Sequence, residues 1–199
     1  FAQTCGGSFG NWMAQLKAEA VQRGHSKAKV DQFFRSARID PRVLKADRSQ
    51  GVFRQTFTEF AGRSVSSSRM SNGKKNMQRY KGTFAKVQKN YGVQPAVLTA
   101  FWALETDYGA VQGNFNTLNS LITLSHDCRR PNLFRPQIFA TIKLWERGDF
   151  DPAKTKGAWA GEIGMVQMLP EDILHRGVDG DGDGRVRLKT SPPDALMTG

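Results

Sequence analysis

Apolar side chains recur along most of this chain at steps of three and four residues, the spacing that puts them on one face of a helix. Trp12, Leu16 and Ala20, with Met13 and Val21 beside them, predict a helix over residues 9–23 that Gly24 ends. Ser26 caps a second helix presenting Val30, Phe33 and Phe34, and Asp40-Pro41 opens a third around Val43 and Leu44. Phe53, Phe57 and Phe60 predict a further amphipathic helix whose aromatic stripe is read as core rather than a sugar platform, with room for one of the three to face a groove. Residues 62–73, rich in Gly, Ser and Asn, read as a surface loop. Met77, Tyr80, Phe84, Val87 and Tyr91 then carry one helix as far as Gly92, with lysines and arginines on its other face. Pro95 and Gly109 bracket the most apolar helix of the chain, and residues 117–124 and 134–147 supply two more, the last closed by Gly148. Strand-like alternation is confined to Val186-Arg187-Leu188, so the expected fold is mainly α.

Composition narrows this picture. A chain of 199 residues with 39% hydrophobic content is long enough for one substantial core and short for two, which predicts one domain. No apolar stretch approaches the roughly 20 residues needed to span a bilayer. The start at Phe1 lacks a basic-then-apolar leader, as a processed form would. Twenty-nine Lys and Arg against 18 Asp and Glu give a net charge of +11, an attraction toward anionic partners in general. The basic residues are spread over many helices with no nucleic-acid module, which argues against a nucleic-acid binder. Cys5 and Cys128, with no Cys/His cluster, do not make a zinc site. In an exported protein they most simply form one disulfide; in a cytosolic one they are two buried thiols.

Three stretches carry candidate chemistry. In Phe101-Trp102-Ala103-Leu104-Glu105-Thr106-Asp107-Tyr108-Gly109, a carboxylate stands in the last turn of a mostly buried helix. Apolar surroundings and the negative end of the helix dipole both disfavour a charged carboxylate there, as a general acid requires. Asp107, two residues on, points elsewhere and has a structural role. In Gly157-Ala158-Trp159-Ala160-Gly161-Glu162-Ile163-Gly164-Met165-Val166-Gln167-Met168-Leu169-Pro170, glycines permit close backbone approach, but the spacing fits no nucleotide-binding loop. Gln167 there has the donor and acceptor capacity for a sugar amide or hydroxyl, or for neighbouring backbone. Asp179-Gly180-Asp181-Gly182-Asp183-Gly184 opens like an EF-hand calcium loop, with Arg185 at the carbonyl-ligand position. Its twelfth position is Thr190, which supplies no carboxylate, and Asp194 lies near enough to replace it.

Taken together and in this order, these motifs resemble the lytic murein transglycosylases of the membrane-bound B family. The likeness runs from about Tyr91 to Ala195 and includes the Glu105 motif, Leu121–Leu124 followed by Cys128-Arg129-Arg130-Pro131, the glycine-rich stretch, and the Asp179 loop with Asp194-Ala195. The resemblance implies a lysozyme-like helical catalytic domain over residues 1–199, with a helical part to residue 90 and a catalytic core over 91–199 that lacks the family's carboxy-terminal end. It implies Glu105 as the catalytic acid, and Gln167, Met168, Tyr108 and the Arg129–Arg130 pair at a glycan groove. Calcium is expected at Asp179, Asp181, Asp183, Arg185 and Asp194, with no organic cofactor. The implied partner is peptidoglycan, acted on by a monomer in the periplasm or envelope of a Gram-negative bacterium, with possible peripheral association with membrane or wall. Rival functions are a hydrolytic lysozyme and a non-catalytic murein-binding protein.

Overall fold

The computed structural model describes residues 5–49 and 55–199, and eleven helices and two short strands are found among them. In chain order these are α1 (Phe9–Gln22), α2 (Lys27–Phe33), α3 (Pro41–Arg48), α4 (Phe57–Ser64), α5 (Ser67–Arg79), α6 (Lys81–Tyr91), α7 (Pro95–Thr106), β1 (Phe115–Asn116), α8 (Thr117–His126), α9 (Pro131–Arg147), β2 (Lys156–Gly157), α10 (Pro170–Arg176) and α11 (Pro192–Thr198). The expected mainly helical fold is therefore observed.

The centre is α8, whose residues Thr117 to Ser125 are all buried. Its apolar groups Leu118, Leu121 and Ile122 meet Phe134, Ile138 and Ile142 of α9, with Trp12 and Leu16 of α1 in the same core. Each such side chain contributes about 1.5–3 kcal/mol on burial. Polar groups on so buried a helix need internal partners. Asn119 Oδ1 accepts from the Arg38 backbone at 3.0 Å, and Thr123 Oγ1 accepts from the Asp40 backbone at 2.9 Å while donating to the Asn119 carbonyl at 2.7 Å. These bonds seat the α2–α3 connection on the core. A second packed group, α5 with α6 and α7, surrounds Trp102, against which Tyr80 and Tyr108 both stand edge-on.

Several expectations are corrected. The loop read at 62–73 is the end of α4 and most of α5. Ser66 caps α5 by accepting from the Arg69 backbone at 3.2 Å, and the glycine that suggested a turn, Gly73, is buried. A Cβ there would lie 2.7 Å from the Tyr108 hydroxyl, so Gly73 is a point of close helix approach rather than a bend. The helix read through Met77 to Tyr91 is broken at Tyr80 into α5 and α6. Phe57 and Phe60 are 83% and 46% exposed, so their stripe is not core; Phe53 lies outside the described residues. Val186–Leu188 forms no strand: Leu188 is a buried loop residue whose carbonyl accepts from the Met165 backbone at 2.9 Å. The observed strands instead pair Phe115 with Gly157 and Asn116 with Lys156, antiparallel.

Candidate active site

Glu105 lies in the last turn of α7, as its sequence predicts, but its side chain is exposed rather than buried. The helix buries Leu98, Thr99, Trp102, Ala103 and Thr106, and this stripe turns Glu105 outward. Phe101 and Leu104, 60% and 56% exposed, share its open side. A cavity of about 290 Å³ runs between α5 and α7 beside it, walled by Met70, Met77, Ala100, Leu104 and Tyr108. Glu105 is thus presented on an open apolar surface.

Immediately after Glu105 the chain reverses sharply. Asp107, Tyr108 and Gly109 have φ of 50°, 61° and 90°, three consecutive left-handed residues. The buried Thr106 side chain anchors this reversal, accepting from the Gly109 amide at 2.9 Å and donating to the Met165 carbonyl at 2.6 Å. A Cβ on Gly109 would sit 3.0 Å from Met165 Cγ, so the Met165 side chain packs directly on the Gly109 backbone. The glycine-rich stretch is thereby fastened to the end of the Glu105 helix. Within it, Ile163 and Met168 pair as an isolated antiparallel bridge, leaving Gln167 in the bend at φ 52°. Gln167 Nε2 donates to the Gly164 carbonyl at 2.8 Å, so one arm of its amide holds the bend itself. Met168 is half-buried against the core.

The remaining site candidates are drawn into internal contacts. Tyr108 donates its hydroxyl to the Arg69 carbonyl at 2.7 Å, holding α5 on α7; burial pushes its pKa up. Asp107 pairs with Arg69 at 3.3 Å, which fits the structural role expected of it. Arg129 and Arg130 both pair with the buried Asp47, Arg130 at 2.6 Å, and Arg130 also lies over the Phe134 ring at 5.1 Å. The disulfide between Cys5 and Cys128 is present and immediately precedes this arginine pair.

One carboxyl was missed by the sequence reading. Glu162 is half-buried, and its Oε2 is wholly enclosed without a hydrogen-bond partner among the described residues. Burial pushes its pKa up; the nearby Glu105 charge pushes the same way, while backbone hydrogen bonds and Arg130 oppose. A signal was available: Glu162 is a lone charge amid Ala160, Gly161, Ile163 and Gly164, the same kind of setting that singled out Glu105.

At the acidic loop, carboxylate oxygens of Asp179, Asp181 and Asp194 lie within 4.8 Å of one another. Asp194 is fully buried and accepts from the backbones of Gly180 at 2.8 Å and Arg187 at 2.7 Å. Backbone N–H groups of Gly184, Gly182 and Asp183 hold the Asp179 carboxyl below its usual range. Asp183 accepts from the Arg187 guanidinium and lies outside this cluster.

A helical scaffold that presents an outward carboxylate at a helix end fastened to a glycine-rich bend is an arrangement suited to acid–base work on an extended ligand. Residues 8–199 match the family described as the transglycosylase SLT domain, and the chain belongs to that family. Among curated proteins it is 30% identical over 128 residues to membrane-bound lytic murein transglycosylase B of Escherichia coli K12, covering 64% of this chain and 35% of the relative. Among solved structures it is similar to SltB3 from Pseudomonas aeruginosa in complex with NAG-anhNAM-pentapeptide. That match has a TM-score of 0.87 and 30% identity, covering 97% of this chain and 52% of SltB3. It is also similar to the Escherichia coli lytic transglycosylase Slt35 in complex with calcium, with a TM-score of 0.85 and 25% identity, covering 98% of this chain and 63% of Slt35. The chain thus spans about a third to two thirds of the length of these relatives.

Proposed function

We propose that this chain is the glycan-cleaving part of a peptidoglycan lytic transglycosylase, with Glu105 as its single acid and base. The observation that carries the reading is Glu105 itself, held outward at a rigid helix end within a chain of the transglycosylase SLT family. Protonated Glu105 gives its proton to the oxygen joining N-acetylmuramic acid to N-acetylglucosamine, and the C1–O bond breaks. The substrate's 2-acetamido group stabilises the cationic C1, as in substrate-assisted glycosidases. Ionised Glu105 then takes the C6 hydroxyl proton while O6 closes on C1, giving a 1,6-anhydro ring with no water consumed. Glycan binding falls to the free oxygen of the Gln167 amide, the Met168 thioether and the apolar surface of Phe101 and Leu104. The chain works as one domain, its positive charge drawing it to anionic wall polymer in the Gram-negative envelope.

The acidic loop fits a hard divalent cation such as calcium, because three carboxylates converge there with one of them buried and fixed. Asp179, Asp181 and Asp194 hold it. Its contribution is to neutralise their mutual repulsion and lock the segment before α11.

Glu162 favours one second reading, hydrolysis, in which a further carboxyl activates water. Product mass on purified sacculi separates the two, since the hydrolytic product is heavier by one water. Anhydro ends are expected, and their loss in Glu105→Gln with an unchanged melting profile. Anhydro product at the parent's rate from Glu105→Gln would remove Glu105 from its role.

A further inference from the structure

A recess of about 370 Å³ lies where three distant segments meet: the α2–α3 connection with the start of α3, the stretch from Asn114 into α8, and the segment that ends in β2. Short bonds to backbone build it. The Asn116 side chain donates to the Pro152 and Ala153 carbonyls at 3.0 and 3.2 Å and accepts from the Asn119 backbone N–H at 2.9 Å, tying the start of α8 to the segment before β2. From the other side the Arg38 backbone N–H donates to Asn119 Oδ1 at 3.0 Å, holding the α2–α3 connection on α8.

The lining is polar and its charge has one sign. Arg38, Arg42 and Lys156 share it with Asn114 and Asn119, and among the described residues no carboxylate lines it. Asp40, the partner of Arg42, is spent: its two oxygens accept from the Arg42 guanidinium at 3.0 and 2.6 Å. The side chains of Arg38 and Lys156 make no hydrogen bond or ion pair among the described residues, and Lys189 brings a further ammonium onto the Lys156 carbonyl at 2.7 Å. Asn119 is only 4% exposed, and while its Oδ1 is taken by Arg38, its Nδ2 has no partner among the described residues. A buried amide with its oxygen fixed and its two donors unused is placed to meet an acceptor. The recess also stands at the amino end of α8, where the helix dipole favours negative charge.

We propose that this recess binds a carboxylate, and that the carboxylate belongs to the peptide carried by the glycan. The second half rests on the transglycosylase reading above. In peptidoglycan the sugar chain has no charge of its own once the lactyl group is amidated, so the anion that this substrate offers sits on its peptide. Arg38 presents a fork to the carboxylate, Lys156 a point charge, and Asn119 Nδ2 a fixed donor that sets its orientation. The strands beside the recess belong to the segments that carry the candidate site: β1 follows the reversal behind Glu105, and β2 leads into the glycine-rich stretch. Peptide-bearing glycan is thereby the better substrate.

Binding is tested first without turnover. N-acetyl-D-alanyl-D-alanine, which has one carboxylate and no ammonium, is titrated into the whole chain beside its carboxy-terminal amide and inorganic phosphate, and the side-chain NH2 resonances of Asn119 are followed by NMR. The acid should shift them and the amide should not. Arg38→Gln/Lys156→Gln, at two exposed positions, should weaken binding of the acid about tenfold, the loss of one charge-assisted bond. Resonances that ignore the acid, or that move equally with the amide, overturn the site. Phosphate that binds as tightly as the acid overturns the peptide as the source of the anion. On turnover, the ratio of kcat/KM on intact glycan to that on glycan stripped of its peptides by an amidase should fall about tenfold in the double variant; an unchanged ratio overturns the preference. A parent chain that releases no anhydro product from either glycan overturns the transglycosylase reading instead, and the titration still decides the site.

Discussion

Thr106 offers the sharpest check on how the site is assembled. Its hydroxyl is buried, donates to the Met165 carbonyl at 2.6 Å and accepts from the Gly109 amide at 2.9 Å. Thr106→Val keeps the shape and deletes both bonds. Each backbone group left unpaired in a buried place costs about 1–3 kcal/mol. Gly109 is only half-buried and its amide recovers part of that from water, so a total of about 2–3 kcal/mol is expected. For a chain of this size that corresponds to a melting point lower by roughly 5–10 °C. Activity should fall further than stability explains, because the segment bearing Glu162 and Gln167 is no longer registered on the turn bearing Glu105; a misplacement of about 1 Å costs about a hundredfold in rate. Thr106→Ser keeps the hydroxyl and should lie close to the parent in both respects. The measurements are thermal melting by circular dichroism and anhydro-product release at a temperature where every variant is folded. If Thr106→Val melts within about 1 °C of the parent, the hydroxyl is not what joins the two segments, since that shift is far below the cost of two unpaired groups.

Two further outcomes are expected. Calcium at a hundred times its dissociation constant should stabilise the chain by about 2.7 kcal/mol, and Asp194→Asn should lose that gain; equal gains in parent and variant place the ion elsewhere. Reducing the Cys5–Cys128 bond, or replacing both cysteines by Ser, should lower stability by about 2–5 kcal/mol, since the bond closes most of the chain; a denaturant midpoint that does not move contradicts this.

Much of the fold was legible because its helices carry local punctuation. Ser26, Asp40-Pro41, Pro95, Gly92 and Gly148 mark ends at which the structure agrees with the sequence pattern to within a residue or two. Where the reading failed, a local signal had a non-local use. Gly73 looked like a breaker and serves to admit the Tyr108 hydroxyl, which only the pairing of α5 with α7 reveals. Phe57 and Phe60 keep helical spacing yet lie on an outer face, since periodicity tells which residues share a side and not what covers it. At the site, the position of Glu105 was legible and its exposure was not: Leu104 and Phe101 look like core residues, but the buried stripe runs through Trp102 and Thr106 instead. Glu162 had a local signal, a lone charge among small and apolar residues, but the enclosure of its Oε2 was not legible because it depends on the folded surroundings.

The left-handed residues at 107, 108 and 167 also bear on how the substrate range of this chain is altered. β-Branched side chains are strained on such backbone, so randomising those positions costs stability in a share of the clones. Phe101 and Leu104 stand on ordinary helical backbone with their side chains already outside the core. A mutational library aimed at new glycans should spend its diversity on that pair and leave the reversal behind Glu105 untouched.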